Sequence, residues 1–225
     1  MWRFTGWLSI SNVVSPLMVY ADRYYLASLF PAGMVAHYTV PLDTLLRGTW
    51  LPLSAVNAIY PAISNKSAPR SEVARMLRWA GISMMAFWFV PLFLVGLVMR
   101  PLLVLWVGPD FSAQIFGVTQ WLLVGVLANG FAFIPYALLQ EAGRADLTAK
   151  LHLLELPLYA VVFVFLVGKF GVFGAAIAWF LRVLFDTFAL YGLALLLFRK
   201  FFSSLWLVFG LASAAILCQF FALVI

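Results

Sequence analysis

Charged side chains inside apolar segments are the residues of this sequence whose types and spacing could do chemistry. Three arginines and three aspartates lie well within otherwise hydrophobic runs: Arg23, Arg47, Arg182, Asp22, Asp43 and Asp186. A charge at membrane depth costs on the order of 2.5–3.5 kcal/mol on the insertion scale, so it persists where it is paired or faces water. Because a guanidinium group binds phosphate or pyrophosphate through two parallel hydrogen bonds, the pattern predicts a polar interior that holds an anionic ligand.

Two of the arginines stand four residues from an aspartate on a predicted helix. Asp43 and Arg47 have this spacing, and Arg182 and Asp186 have it in the reverse order. Residues four apart share a helix face, so each pair can form an ion pair. Two interpretations stay open for each pair: a neutralised structural clasp between helices, or part of a functional lining.

Asp22 and Arg23 are adjacent, about 100° apart around a helix, and cannot pair well with each other. They need partners on other helices or in a cavity, and the lack of a local counter-charge at Arg23 favours a functional role. The simplest arrangement has the first, second and sixth predicted helices lining one polar interior. Glu155 on the fifth helix is a further candidate for proton coupling, and the alternative is a carboxylate that reaches the membrane interface.

The composition excludes a soluble domain. The 225 residues are 65% hydrophobic and 10% charged, whereas soluble domains have about 25% charged residues. The apolar runs are long and continuous, which excludes barrel strands and indicates an all-α polytopic membrane protein. The net charge of +6 comes mostly from short loops, so it indicates membrane topology and gives no reason to expect nucleic acid as a partner.

Hydrophobic periodicity and loop residues predict one six-helix transporter lobe plus a seventh C-terminal helix. The lobe is assigned to residues 1–200 and the additional membrane helix to 201–225. Internal prolines, among them Pro41, Pro52, Pro91, Pro135 and Pro157, predict bent or broken helices. The predicted helices of the lobe cover residues 7–30, 35–59, 79–99, 115–139, 151–167 and 172–198.

The loop charges predict the orientation. With a cytoplasmic N-terminus, nine basic residues face the cytoplasm and only Arg100 and Lys169 face the other side, which is a strong positive-inside bias. The predicted location is the bacterial cytoplasmic (inner) membrane, with several spans. The cytoplasmic set is Arg3, Lys66, Arg70, Arg75, Arg78, Arg144, Lys150, Arg199 and Lys200.

Catalytic motifs are missing from the sequence. There is no nucleophile elbow, no zinc-binding HExxH and no phosphate-loop lysine, so we predict neither an enzyme nor a cofactor. Gly168, Gly171 and Gly174 have a spacing that favours close helix packing. Cys218 is the single cysteine, which excludes a disulfide framework.

Several short motifs follow one another along nearly the whole chain in the order seen in one transporter family. This series resembles the C-terminal lobe of the polysaccharide and O-antigen lipid flippases, within the multidrug/oligosaccharidyl-lipid/polysaccharide exporter superfamily. The order of the motifs makes the resemblance specific, since each motif alone is loose. The motifs are Asp22-Arg23-Tyr24, VAHYTVP at 35–41, AIYPAIS at 58–64, LWVGPDF at 105–111, LLQEAGR at 138–144 and GVFGAA at 171–176.

The resemblance implies a function and its partners. A lobe of this kind turns a polyprenyl-pyrophosphate-linked oligosaccharide from the cytoplasmic to the periplasmic leaflet by alternating access between two lobes. The family's cationic cavity would map onto Arg23, Arg47 and Arg182 as substrate-binding residues. The implied partners are the lipid-linked oligosaccharide, membrane lipids, a second lobe and other polysaccharide assembly proteins. Since family members carry two lobes, this chain is expected to be a truncated product, a split lobe or a half-transporter that dimerises.

Two other functions stay open. One is a multidrug or small-cation exporter of the same superfamily, whose pocket should be net acidic or aromatic, whereas here three arginines nearly balance Asp22, Asp43 and Asp186. The other is a non-transporting membrane scaffold of a polysaccharide synthesis complex, in which loop residues such as Arg70 and Arg75 would matter more than the charges inside the membrane.

Overall fold

The computed structural model describes residues 20–64 and 69–224, and every regular element in these ranges is a helix. The predicted all-α membrane architecture is confirmed, since four continuous helical stretches of the described residues, the first at Ser71–Leu97, are long and apolar enough to cross a membrane. The elements are α1 (20–29), α2 (Ala32–Arg47), α3 (Trp50–Ser64), α4 (Arg70–Met84), a π-helical turn (Met85–Phe89), α5 (Val90–Leu97), α6 (Met99–Val107), α7 (Pro109–Glu141), α8 (Ala145–Leu197), a 3₁₀ turn (Arg199–Phe201) and α9 (Phe202–Val224).

Helix α7 is the central element of the described chain. In its most apolar stretch 83% of the residues are buried, against 33% in each of the other three candidate spans. A helix that is apolar all round is buried on all sides, whereas the others bury one face and leave the opposite one for lipid. The C-terminal end of α9 is joined to α7, because Gln120 Nε2 of α7 donates a hydrogen bond to the Leu223 carbonyl at 2.7 Å.

Prolines interrupt the backbone hydrogen bonds of the helices at positions where the sequence predicted bends. The predicted second helix is divided at Gly48–Thr49 into α2 and α3, and Pro52 follows, which cannot donate the helical bond to the carbonyl four residues earlier. Pro135 likewise frees the Phe131 carbonyl inside α7. The Tyr191 hydroxyl of α8 donates to that oxygen at 3.1 Å. The proline thus creates a tie between two helices.

Helix α8 consists of two antiparallel arms, 145–170 and 172–197, which meet at Gly171. Gly171 has φ 60° and ψ −139°, a conformation that glycine adopts without the steric cost that other residues meet. The contact between Tyr159 in the first arm and Arg182 in the second shows that the arms lie side by side. The two arms correspond to the predicted fifth and sixth helices.

The helix ends differ from the predicted ones. α4 begins at Arg70, before the predicted start at 79, because residues 70–78 form about two and a half further turns that bury Val73 and Leu77. α7 and α8 likewise begin earlier than predicted, at Pro109 and Ala145. The predicted start of the first helix, residues 7–19, lies outside the described residues. The division into a lobe and an additional helix stays a prediction.

Candidate functional site

Arg23 on α1 and Asp43 on α2 form an ion pair. Arg23 Nη1 donates to Asp43 Oδ2 at 3.1 Å, and Nη2 donates to Oδ1, so the guanidinium holds both carboxylate oxygens. The side chains are 22% and 45% exposed, respectively. The partner of Asp43 is therefore the arginine of the preceding helix, whereas the spacing had indicated Arg47. A two-point contact between antiparallel helices combines geometry with charge and fixes their register.

Asp22 lies behind this pair and is only 2% exposed. Its Oδ2 accepts a hydrogen bond from the Tyr38 hydroxyl at 2.6 Å and a longer one from Tyr159 at 3.5 Å. Its Oδ1 accepts from the Arg23 backbone N–H at 2.7 Å. A buried carboxylate needs such donors, since the cost of burying it without them is several kcal/mol. Asp22 therefore connects α1 with α2 and with the first arm of α8.

Arg47 is exposed in the last turn of α2, directly before the break at Gly48–Thr49. Within the described parts of the chain, the ion pairs found do not include it. Its guanidinium is therefore available for an anionic ligand, on the helix that also carries Asp43.

Arg182 on the second arm of α8 lies over the ring of Tyr159, with 5.4 Å between the guanidinium carbon and the ring centroid. Its Nε atom is buried and has no hydrogen-bond acceptor among the described residues. Tyr159 is hydrogen-bonded to Asp22, so Arg182 and Arg23 both border one buried polar cluster. Four helical segments line this cluster: α1, α2 and both arms of α8.

Asp186 does not pair with Arg182 by the predicted spacing. It faces the first arm, where His152 Nε2 lies 3.7 Å from Asp186 Oδ1. Glu155 joins them, and the three potential ligand atoms of His152, Glu155 and Asp186 lie within 4.8 Å of one another. These three side chains are the group of described residues that could hold a cation.

Two tyrosines contribute to this site in ways that the sequence pattern did not predict. Tyr38 had no role assigned beyond its place in the motif at 35–41, but it is fully buried and donates to Asp22. Tyr159 had no role assigned, although an arm-to-arm hairpin centred near Phe170 and Gly171 places it opposite Arg182. The same geometry places Glu155 opposite Asp186, so counting residues outward from the turn was the signal that could have found both contacts.

Comparison with known proteins identifies a relative. A curated Shigella flexneri protein named "Putative O-antigen transporter" is 32% identical to this chain over 190 residues. The matched region covers 83% of this chain and 44% of the relative, so the chain spans less than half of that protein's length. No protein-family model matches the chain, and no solved structure does so significantly.

Proposed function

We propose that this chain forms one lobe of a lipid-linked oligosaccharide transporter, because over the matched region it is related to the O-antigen flippase family. The lobe carries a polyprenyl-pyrophosphate-linked oligosaccharide from the cytoplasmic to the periplasmic leaflet by alternating access with a second lobe. A role in polysaccharide or O-antigen transport agrees with the name of the relative and with the long apolar helices. The inner membrane is the corresponding location, with the N-terminus in the cytoplasm.

The observation that carries this proposal is the exposed, uncompensated guanidinium of Arg47 at a helix break. A discontinuous helix inside an apolar segment is typical of transporter binding sites, because its free backbone groups face a cavity. A pyrophosphate would supply the counter-charge that Arg47 lacks, through two parallel hydrogen bonds. In an isolated lobe the arginine would face lipid, which is costly, so the proposal includes a second lobe that closes the cavity.

Arg23 and Arg182 have different roles in this proposal. Each is held in place by a neighbour, Arg23 by Asp43 and Arg182 by the ring of Tyr159. Held arginines lose little side-chain entropy on binding, so they suit a cavity wall that is organised before the ligand arrives. Arg47 provides the primary contact with the anionic group, and the other two provide a fixed positive field around it.

The test replaces Arg47 with glutamine or lysine in the source cell and measures the surface polysaccharide. Loss of a charge-assisted hydrogen bond is worth about 1.5–3 kcal/mol, so R47Q is expected to reduce export about tenfold or more. R47K keeps the charge without the planar fork and should fall between R47Q and the wild type. The matched control is R75Q, which removes an exposed arginine from α4. Immunoblots of the membranes verify equal amounts of each variant.

The outcomes separate the three functions. Lost polysaccharide with unchanged drug sensitivity supports the flippase. Altered drug sensitivity with normal polysaccharide supports the multidrug exporter. If R75Q removes the polysaccharide and R47Q does not, the chain is a scaffold and the charges inside the membrane are dispensable.

A further inference from the structure

Glu155 is a buried carboxylate that the proposed cavity leaves unexplained. It is 2% exposed, and neither of its carboxylate oxygens has a hydrogen-bond donor among the described residues. Asp186 has the same deficiency at Oδ1, which is buried and also lacks a donor. Buried carboxylate oxygens nearly always have a donor or a cation, so three such oxygens without donors on two neighbouring side chains indicate a ligand.

The neighbours of Glu155 define the chemistry of that ligand. His152 lies on the same arm of α8, one turn away, and its Nε2 is 3.7 Å from Asp186 Oδ1. Arg182 and Asp186 face Glu155 from the second arm, and Tyr159 borders it along the first. From α7, Tyr136 stacks on His152 with ring centroids 6.5 Å apart. Two carboxylates and one imidazole form an O/N ligand set that suits a cation.

The local charge account limits the charge of that cation. Glu155 and Asp186 bring two negative charges and Arg182 beside them brings one positive charge, which gives a net charge of −1 at the cluster with histidine neutral. An uncompensated charge in a low-dielectric interior is costly, and two carboxylates this close repel each other. A single positive charge restores neutrality, whereas a divalent ion would leave an excess of +1.

The cluster also has an entrance. A cavity of about 140 Å³ between the two arms reaches Glu155 and Arg182, and its rim includes the exposed side chains Leu158, Leu181 and Phe185. This volume exceeds that of a small cation, and Glu155 and Arg182 supply charged groups to a lining that is otherwise mostly apolar. A binding site needs such a path, and the buried carboxylate lies at its end.

We propose that Glu155, Asp186 and His152 form a binding site for one monovalent cation, held between the two arms of α8. The carboxylate oxygens are the main ligands, and the imidazole completes the site. Arg182 offsets one of the two negative charges, so a divalent ion would leave the site with excess positive charge. A proton shared among the three groups and a sodium ion have the same charge, and the experiment separates them. The site goes beyond the proposed transport function, because binding is measured without any oligosaccharide.

The experiment measures the thermal unfolding of the purified full chain in detergent. Sodium chloride is compared with choline chloride at equal ionic strength, over the neutral to alkaline range of pH. The variants are Glu155→Gln and Asp186→Asn, which keep the side-chain shape and remove one negative charge each. Asp110→Asn is the control, since it removes an exposed carboxylate from the start of α7.

Two results support the site. If sodium raises the midpoint of the wild type and of D110N, and E155Q and D186N lose this rise, the occupant is sodium. If sodium has no effect but the pH dependence of the midpoint is flattened in E155Q and D186N, the occupant is a proton. Direct uptake of radioactive sodium by the purified protein distinguishes the two independently.

Two results overturn it. If E155Q and D186N respond to sodium and pH as the wild type does, the cluster binds no cation. If manganese or zinc stabilises the wild type more than sodium does, and His152→Ala removes that effect, the limit to a single charge is wrong. Neither result depends on polysaccharide export, so failure of this site and failure of the R47Q test are distinguishable.

Discussion

Arg23 and Asp43 are twenty residues apart and hold each other through both guanidinium nitrogens and both carboxylate oxygens, across the turn at Pro31. The pair lies between two helices, so it positions α1 relative to α2, whereas a pair within α2 would stabilise only that helix. It leaves Arg47, one turn beyond Asp43, free to contact a ligand. The same two residues therefore hold the helix pair together and determine which arginine is available.

The first prediction is energetic coupling between Arg23 and Asp43. Arg23→Gln and Asp43→Asn should each lower the melting temperature in detergent. The free energy of unfolding lost in the double variant should be smaller than the sum of the two single losses by about 1 kcal/mol. This coupling is modest because both side chains are partly exposed. Arg47→Gln is the matched control, and its effect should simply add to that of Asp43→Asn. Coupling of Asp43 to Arg47 instead of Arg23 would contradict the observed pairing.

The second prediction concerns the donor to Asp22. Tyr38→Phe removes the hydroxyl that lies 2.6 Å from Asp22 Oδ2 and leaves a buried carboxylate short of a donor. We expect a loss of about 1–3 kcal/mol of stability, measured by thermal unfolding. Tyr24→Phe is the control, because Tyr24 is 79% exposed and should be unaffected. Equal effects of the two substitutions would show that the Tyr38 hydroxyl does not stabilise the fold.

The membrane class, the proline breaks and the need of Asp22 and Arg23 for distant partners could all be read from the sequence. They follow from composition, from missing backbone donors and from the angle between adjacent helical residues. The partner of Asp43 could not, because a local spacing of four residues competes with a contact that only the fold at Pro31 creates. The sequence indicates which charged side chains need a partner, and the packing of the helices determines which residue that partner is.

The burial of Glu155 likewise could not be predicted from the sequence. One turn after His152 it resembles a carboxylate that reaches the membrane interface, and its burial depends on how the two arms of α8 rotate against each other. Periodicity predicts which residues share a face of one helix, but it does not predict which face meets a given neighbour. The turn at Gly171 supplies the missing register, because it sets residues at equal distances from the turn opposite each other.

The third prediction tests the tie between α7 and α8 that Pro135 creates. In the wild type, Tyr191→Phe leaves the buried Phe131 carbonyl without a donor, at a cost of about 1–3 kcal/mol. In a Pro135→Ala background, the N–H of residue 135 can donate to that carbonyl, so Tyr191→Phe should cost clearly less. Melting temperatures of the four proteins complete the cycle. An equal cost in both backgrounds would mean that the hydroxyl acts through packing alone.

The fourth prediction concerns the close approach of Trp88 to α7. The π-helical turn Met85–Phe89 directs Trp88 into the core, where its Nε1 donates to the Leu127 carbonyl at 3.2 Å and the indole lies against Gly130. A methyl group at residue 130 would overlap the indole ring, so Gly130→Ala must displace Trp88 and break this hydrogen bond. Overpacking of this kind costs about 1–3 kcal/mol.

Gly210→Ala is the matched control for Gly130→Ala. Gly210 is an exposed helical glycine with no atom within 4 Å of an added Cβ, and alanine is the better helix former, so this variant should be as stable as the wild type or slightly more stable. Thermal unfolding of both variants in detergent provides the comparison. If Gly130→Ala also raised the melting temperature, its higher helix propensity would outweigh the displaced indole. The contact between the Trp88 indole and Gly130 would then not be what holds the π-helical turn against α7.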